Sequence, residues 1–221
     1  MSKLVWDQSG ERLYETGVEQ VALFPQVGGT YENGVAWNGI TALNITPSGA
    51  EPTALYANDR KYLTMMSAEE TGGTIEAYMY PEEFAQCDGS ATAVAGVYVG
   101  QQSRKPFGLV AKTLIGNDTE MNKHGYKLHI IWNAMAAVSE KAYSSVNESP
   151  EANTFSWEFT TTPVEVTGFE PTAYICIDST KCEATKLKAL EDMIYGGESE
   201  SDKPTLPTPD VVLSTLGYPA G

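Results

Sequence analysis
A chain of 221 residues with 42% hydrophobic content is long enough to bury a core of its own, which excludes a disordered chain and a fold that depends on disulfide staples. Its 29 acidic residues against 14 basic ones give a net charge of −15, which excludes a protein that grips nucleic acid through phosphate contacts. Charged residues make up 19% of the chain, below the average of about 25%, as expected of a β-protein rich in Thr and Ser or of a surface partly covered by partner subunits.

Residues 1–17 are polar with scattered aromatics, Trp6 and Tyr14, and read as an arm or as a segment laid on the body. VEQVALFP at 18–25 predicts a short strand ending at Pro25, followed by a Gly-rich loop that closes on the Asn33-Gly34 turn. The stretch 34–84 organises the chain. Val35, Trp37, Leu43 and Ile45 fall on alternate positions with small residues, Gly39 and Thr41, between them, which predicts a long strand with one apolar face. A Pro-, Gly- and Ala-rich excursion at 47–58 predicts a large loop, with strand resuming at 61–66 and 74–80. In the last run Ile75, Ala77 and Met79 face one way and Thr74, Glu76, Tyr78 and Tyr80 the other.

Pro81-Glu82-Glu83-Phe84 suits a brief helix, with Pro first and acids in the first turn. Residues 91–100 predict an edge strand, and FGLVAKTLIG at 107–116 another strand. YKLHIIWN at 126–133 places Tyr126, Leu128, Ile130 and Trp132 on one face. Residues 154–162 alternate most cleanly, with Phe155, Trp157 and Phe159 on one side, and 172–178 is a further strand. Thr180 with Glu183 forms a capping-box pattern, and Leu187, Leu190 and Ile194 recur at helical spacing before Gly196-Gly197, predicting a helix over 181–195 packed on the sheet. From 198 the chain turns charged and Pro-rich. It is expected to divide into a β domain at 1–197 and a Pro-rich tail at 198–221 with a short helix from Thr208 through Leu216. Removing that tail is expected to spare the fold.

No phosphate loop, nucleophile elbow, zinc-protease helix or paired-cysteine motif is present. His129 lies on the strand face opposite Leu128 and Ile130, which suits a surface or pairing residue, and His124 follows a polar turn. Cys87, Cys176 and Cys182 lack metal-site spacing, and Cys176 and Cys182 read as buried structural thiols. Glu82-Glu83 and Glu69-Glu70 read as solvated acids rather than acid/base pairs, and the aromatic strand faces as core rather than a sugar platform. No catalytic, cofactor-binding or metal-binding residue is assigned, and an enzyme is not expected. With no apolar signal core or membrane-length run, the protein is expected to be soluble.

The phrases GERLYETGVEQVALFP, GVAWNGITALNITPSGAEPTALYANDRKYL, GTIEAYMYPEEFAQCDGS, GQQSRKPFGLVAKTLIGND, GYKLHIIWNA and SWEFTTTPVEV together resemble the major tail proteins, or tail tube proteins, of long-tailed non-contractile bacteriophages, over nearly the whole chain to about Gly196. The resemblance implies a mainly β, tail-tube-type β-sandwich or partly closed barrel with one packed α-helix and a long interlocking loop. It implies six-membered homomeric rings stacked into a tube around a tape measure protein. Tail terminator and distal tail proteins would be further partners, and double-stranded DNA would pass down the lumen without sequence-specific binding. The implied location is the virion tail, assembled in the host cytoplasm, with no membrane partner and no cofactor. The residues agree on three points: long strands whose edges need partners, an exposed loop, and acidity that would let DNA slide. Pro47, Glu51, Leu55, Tyr56, Asp59 and Arg60 are the candidate subunit contacts in that loop. Deleting 47–58 is expected to leave the subunit folded but impair tube growth. A glycan-binding β-sandwich on a virion or cell surface is the alternative, with an enzyme third.

Overall fold
A computed structural model describes residues 3–49, 51–145, 152–197 and 202–219. In chain order the strands are β1 (Tyr14–Val27), β2 (Thr30–Tyr31), β3 (Val35–Ala36), β4 (Ile40–Gly49), β5 (Thr53–Ala57), β6 (Arg60–Met65), β7 (Glu69–Ala77), β8 (Ala91–Val94), β9 (Val97–Val99), β10 (Phe107–Asn117), β11 (Met121–Ala136), β12 (Phe155–Thr161), β13 (Val164–Val166), β14 (Phe169–Thr172) and β15 (Tyr174–Asp178). Helix α1 (Ala184–Tyr195) and helix α2 (Pro209–Leu216) follow, and a 3-10 turn at Glu82–Gln86 precedes β8.

One nine-stranded sheet carries the fold, in the order β2-β1-β10-β11-β12-β7-β4, with β15 added to β11 and β3 to β1. The pairings within it are antiparallel. Because β3 hydrogen-bonds β1 and leads straight into β4, the far end of the sheet is drawn back towards its start without closing a barrel.

Both faces of the sheet are covered, and the period-two pattern separates two cores. Val21, Leu23, Leu109, Ala111 and Ile131 point inward with Trp37, Ile75, Phe84, Phe155, Trp157 and Phe159. Their neighbours Ala22, Phe24, Val110, Leu128, Ile130 and Trp132 point outward against Leu187, Leu190 and Ile194 of α1. Rings lock the inner core: Phe84 from the 3-10 turn lies 4.5 Å from Trp37, 5.2 Å from Trp157 and 5.5 Å from Phe107, centroid to centroid. The aromatic side of β12 is therefore core, as its alternation predicts.

Several boundaries differ from the sequence reading. β1 runs through Pro25 to Val27, because Pro25 sits opposite Phe107 and its missing donor is bypassed by a bond from Gln26 N to Pro106 O. The long strand predicted from Val35 breaks at Gly39, whose φ of +86° turns the chain between β3 and β4. β7 stops at Ala77, so Met79 leaves the inner face and is exposed. The capping box does not form: α1 begins at Ala184, and Thr180 instead donates to the Asp178 carboxylate at 2.6 Å.

The terminal segment differs most. In its described part, 202–219, Leu206 and Val212 are buried in the outer core beside α1. Pro204 O accepts from Gly34 N at 3.0 Å, and Pro207 O accepts from the buried Trp132 Nε1 at 2.9 Å. The expected short helix is present as α2, with Thr208 accepting from Val211 N as its cap. These contacts remove the ground for expecting that the fold survives loss of the tail.

Downstream of β11, Lys141 reaches back over the inner core. Its ammonium lies 2.5 Å from Asp88 Oδ2 and 4.8 Å from the Tyr80 ring centroid. The Asp88 side chain is 5% exposed. Burial lowers the Lys141 pKa, but the bonds to Asp88 and Tyr80 outweigh it and leave the group raised. Lys141→Met strands that carboxylate without a counterion, and the expected loss in urea unfolding is about 3 kcal/mol. A loss below about 1 kcal/mol, the range of surface pairs, would contradict this account.

Candidate assembly surface
The excursion read as a loop is a β-hairpin. β5 and β6 pair from Thr53↔Met65 to Ala57↔Arg60, joined by Asn58 and Asp59 with φ of 51° and 58°. Two successive left-handed residues make the tight turn that suits strand twist, and Asn and Asp are the residues that tolerate it. Pro47 lies before the hairpin, in β4, opposite Thr71. Glu51 precedes β5, Leu55 and Tyr56 lie in it, Asp59 forms the turn and Arg60 opens β6. All six candidate residues are exposed.

Among the described residues, the large side chains of the hairpin stay exposed and join neither core. Leu55 faces Leu63 across the ladder, and Met65 is two residues on, so one face carries an apolar stripe. Tyr56 and Tyr62 are 72% and 73% exposed, and Met66 is exposed as well. A lone two-stranded hairpin is marginal in water, and this one presents apolar side chains to solvent. A second hairpin, β8–β9, replaces the single edge strand expected at 91–100 and exposes Val94, Val97, Tyr98 and Val99. Leu4, Val5 and Trp6 near the N-terminus are exposed too.

The sheet edges differ in kind. β1 is blunted where β3 leaves it, by register shifts between Thr16 and Glu19 and between Glu19 and Ala22, with Gly17 and Gln20 at φ of 72° and 49°. β4 is not blunted. Its register with β7 is unbroken from Ala42 to Gly49, and among the described residues its other edge has no strand partner. β15 likewise pairs β11 without a shift from Tyr174 to Asp178 and has a free outer edge among the described residues.

The polar residues singled out from the sequence fall elsewhere. His129 is 8% exposed rather than on the surface, and it sits in a side-chain network. Its Nε2 lies 2.9 Å from Thr113 Oγ1, and its Nδ1 lies 2.8 Å from the Tyr174 hydroxyl. Thr113 donates to Glu15 Oε1 at 2.9 Å, and Lys127 Nζ donates to Glu15 Oε2 at 2.6 Å. The bond from Lys127 is the largest of the effects holding the Glu15 carboxyl below its usual range. His124 is held by Glu120 at 2.7 Å. All three cysteines are free. Cys87 is buried, which pushes its thiol up to about 12, but Cys176 is exposed, because β15 turns Ile177 and not Cys176 into the outer core. Among the described residues no group of three or more His, Cys, Asp or Glu is placed to hold a metal ion.

No protein-family model and no curated protein matches the sequence. Among solved structures, the chain is similar to one in the six-fold-symmetrised cryo-EM structure of the anti-feeding prophage baseplate. The two are 11% identical, the match covers 82% of this chain and 99% of that one, and the TM-score is 0.40.

Proposed function
We propose that the chain is a structural subunit that assembles with copies of itself into rings, and that the rings stack into the tail tube of a long-tailed phage. The observation that carries this reading is the β5–β6 hairpin, whose apolar stripe Leu55, Leu63 and Met65 is exposed and joins neither core among the described residues. A stacked neighbour would cover that stripe. Within a ring, the regular edge of β4 in one copy pairs with the outer edge of β15 in the next. Joining two different edges is a head-to-tail contact, which closes into a ring when the rotation between copies allows. Six copies per ring, a tape measure protein inside, and terminator and distal tail proteins at the ends follow from the resemblance in sequence. The surplus of acidic residues would let DNA pass without adhering, since phosphates find few cations. The glycan-binding reading loses its strand platform, because Trp132, Trp157, Phe155 and Phe159 lie in the two cores.

Cross-linking tests the edge contact directly. Single cysteines at each position from Ala42 to Ser48, in a Cys182→Ser background, sample every register of β4 against the native Cys176. Mild oxidation of assembled protein is expected to give a ladder of covalent oligomers ending at six. Monomers from every variant of the series would overturn the β4–β15 pairing.

A further inference from the structure
The network around His129 ties four strands together through side chains: Glu15 of β1, Thr113 of β10, Lys127 and His129 of β11, and Tyr174 of β15. Donor counting fixes its direction. A carboxylate only accepts, so the Thr113 hydroxyl proton goes to Glu15. Thr113 oxygen must then accept from His129, which puts the imidazole proton on Nε2 and leaves Nδ1 to accept from the Tyr174 hydroxyl. With a neutral imidazole each ring nitrogen takes the role its neighbour needs, and no charge is buried. A second proton on Nδ1 turns an acceptor into a donor facing a donor, and the bond to Tyr174 must break or reverse.

We propose that this network is a proton-sensitive clamp, which fixes β15 to the sheet at neutral pH and loosens it under mild acid. The groups facing His129 are Glu15 from β1, Lys127 on its own strand, and Tyr174 and Cys176 from β15; Thr113 from β10 carries no charge. Burial holds His129 below the ordinary histidine range, Glu15 opposes that, and Lys127 adds to it. A histidine depressed in this way contributes stability that is full above its unfolded value of about 6.5 and lost as pH falls below it. Glu15, held low as a carboxylate, acts with the same sign at lower pH. The consequence for assembly rests on the reading above, since β15 supplies one of the two joining edges. The clamp itself is a property of the single subunit.

Amide hydrogen exchange on monomeric protein tests it, with intrinsic rates corrected for pH. Protection in β15 is expected to fall by up to about tenfold per pH unit below about 6.5, while β7 and β12 hold theirs. His129→Gln is expected to remove that dependence. If the variant folds poorly, Tyr174→Phe gives a second reading: loss of the Nδ1 donor raises the His129 midpoint in an NMR titration. A wild-type midpoint at or above about 6.5, or unchanged β15 protection across this range, would overturn the clamp. Neither result depends on whether rings form.

Discussion

Replacing Leu55 with Lys and Leu63 with Glu is expected to stop assembly while leaving the subunit folded. The two positions face each other on the hairpin, so the new charges attract across the ladder and keep β5–β6 paired. Both side chains are exposed in the single chain, so their loss removes no core. Thermal unfolding of the monomer should stay within about 0.5 kcal/mol of wild type, as for ordinary surface changes. A stacked neighbour changes the sum. Burying each Leu at an interface is worth about 1.5 kcal/mol or more, so losing both should raise the concentration needed for assembly about a hundredfold. Assembly at the wild-type concentration would remove the hairpin from the contact. Deleting 47–58 is a poorer probe than it looked from the sequence. It removes the end of β4 as well as half of the hairpin.

Truncation after Asp202 is expected to abolish cooperative folding. The lost segment carries Leu206, Pro209 and Val212, all buried, and the acceptor of Trp132 Nε1. Each buried aliphatic side chain is worth about 2 kcal/mol, and an orphaned buried donor costs about 1–3 kcal/mol. The sum is about 5 kcal/mol or more, as large as the whole stability of many domains. Far-UV and near-UV circular dichroism on heating should show a broad transition or precipitation. A sharp transition within a few degrees of the intact protein would show that the segment is an appendage after all.

Strands with a buried face were legible because burial imposes a period of two. β10, the second half of β11, and β12 were visible for this reason, and so was α1 through Leu187, Leu190 and Ile194. The two outer hairpins were legible only in part: strand was expected at 61–66 and at 91–100, but β5 was read as loop and the turn between β8 and β9 was missed, because both faces of these hairpins meet solvent. Their signals lay in the turns, Asn58-Asp59 and Gly96, all at positive φ. The Pro-rich segment misled in another way. Proline lacks a donor but keeps its carbonyl, and Pro204 and Pro207 use theirs to satisfy Gly34 and Trp132. The His129 network could not be read from spacing. Its members lie at 15, 113, 127, 129 and 174, and only the pairing of β1, β10, β11 and β15 brings them together. Of the candidate contact residues, exposure was legible, but their place on a strand pair was not.

Negative-stain electron microscopy of the purified protein over a rising concentration series tests self-assembly most directly. Six-fold rings that stack into hollow tubes are expected as concentration increases. Isolated particles of single-subunit size throughout the series would contradict it.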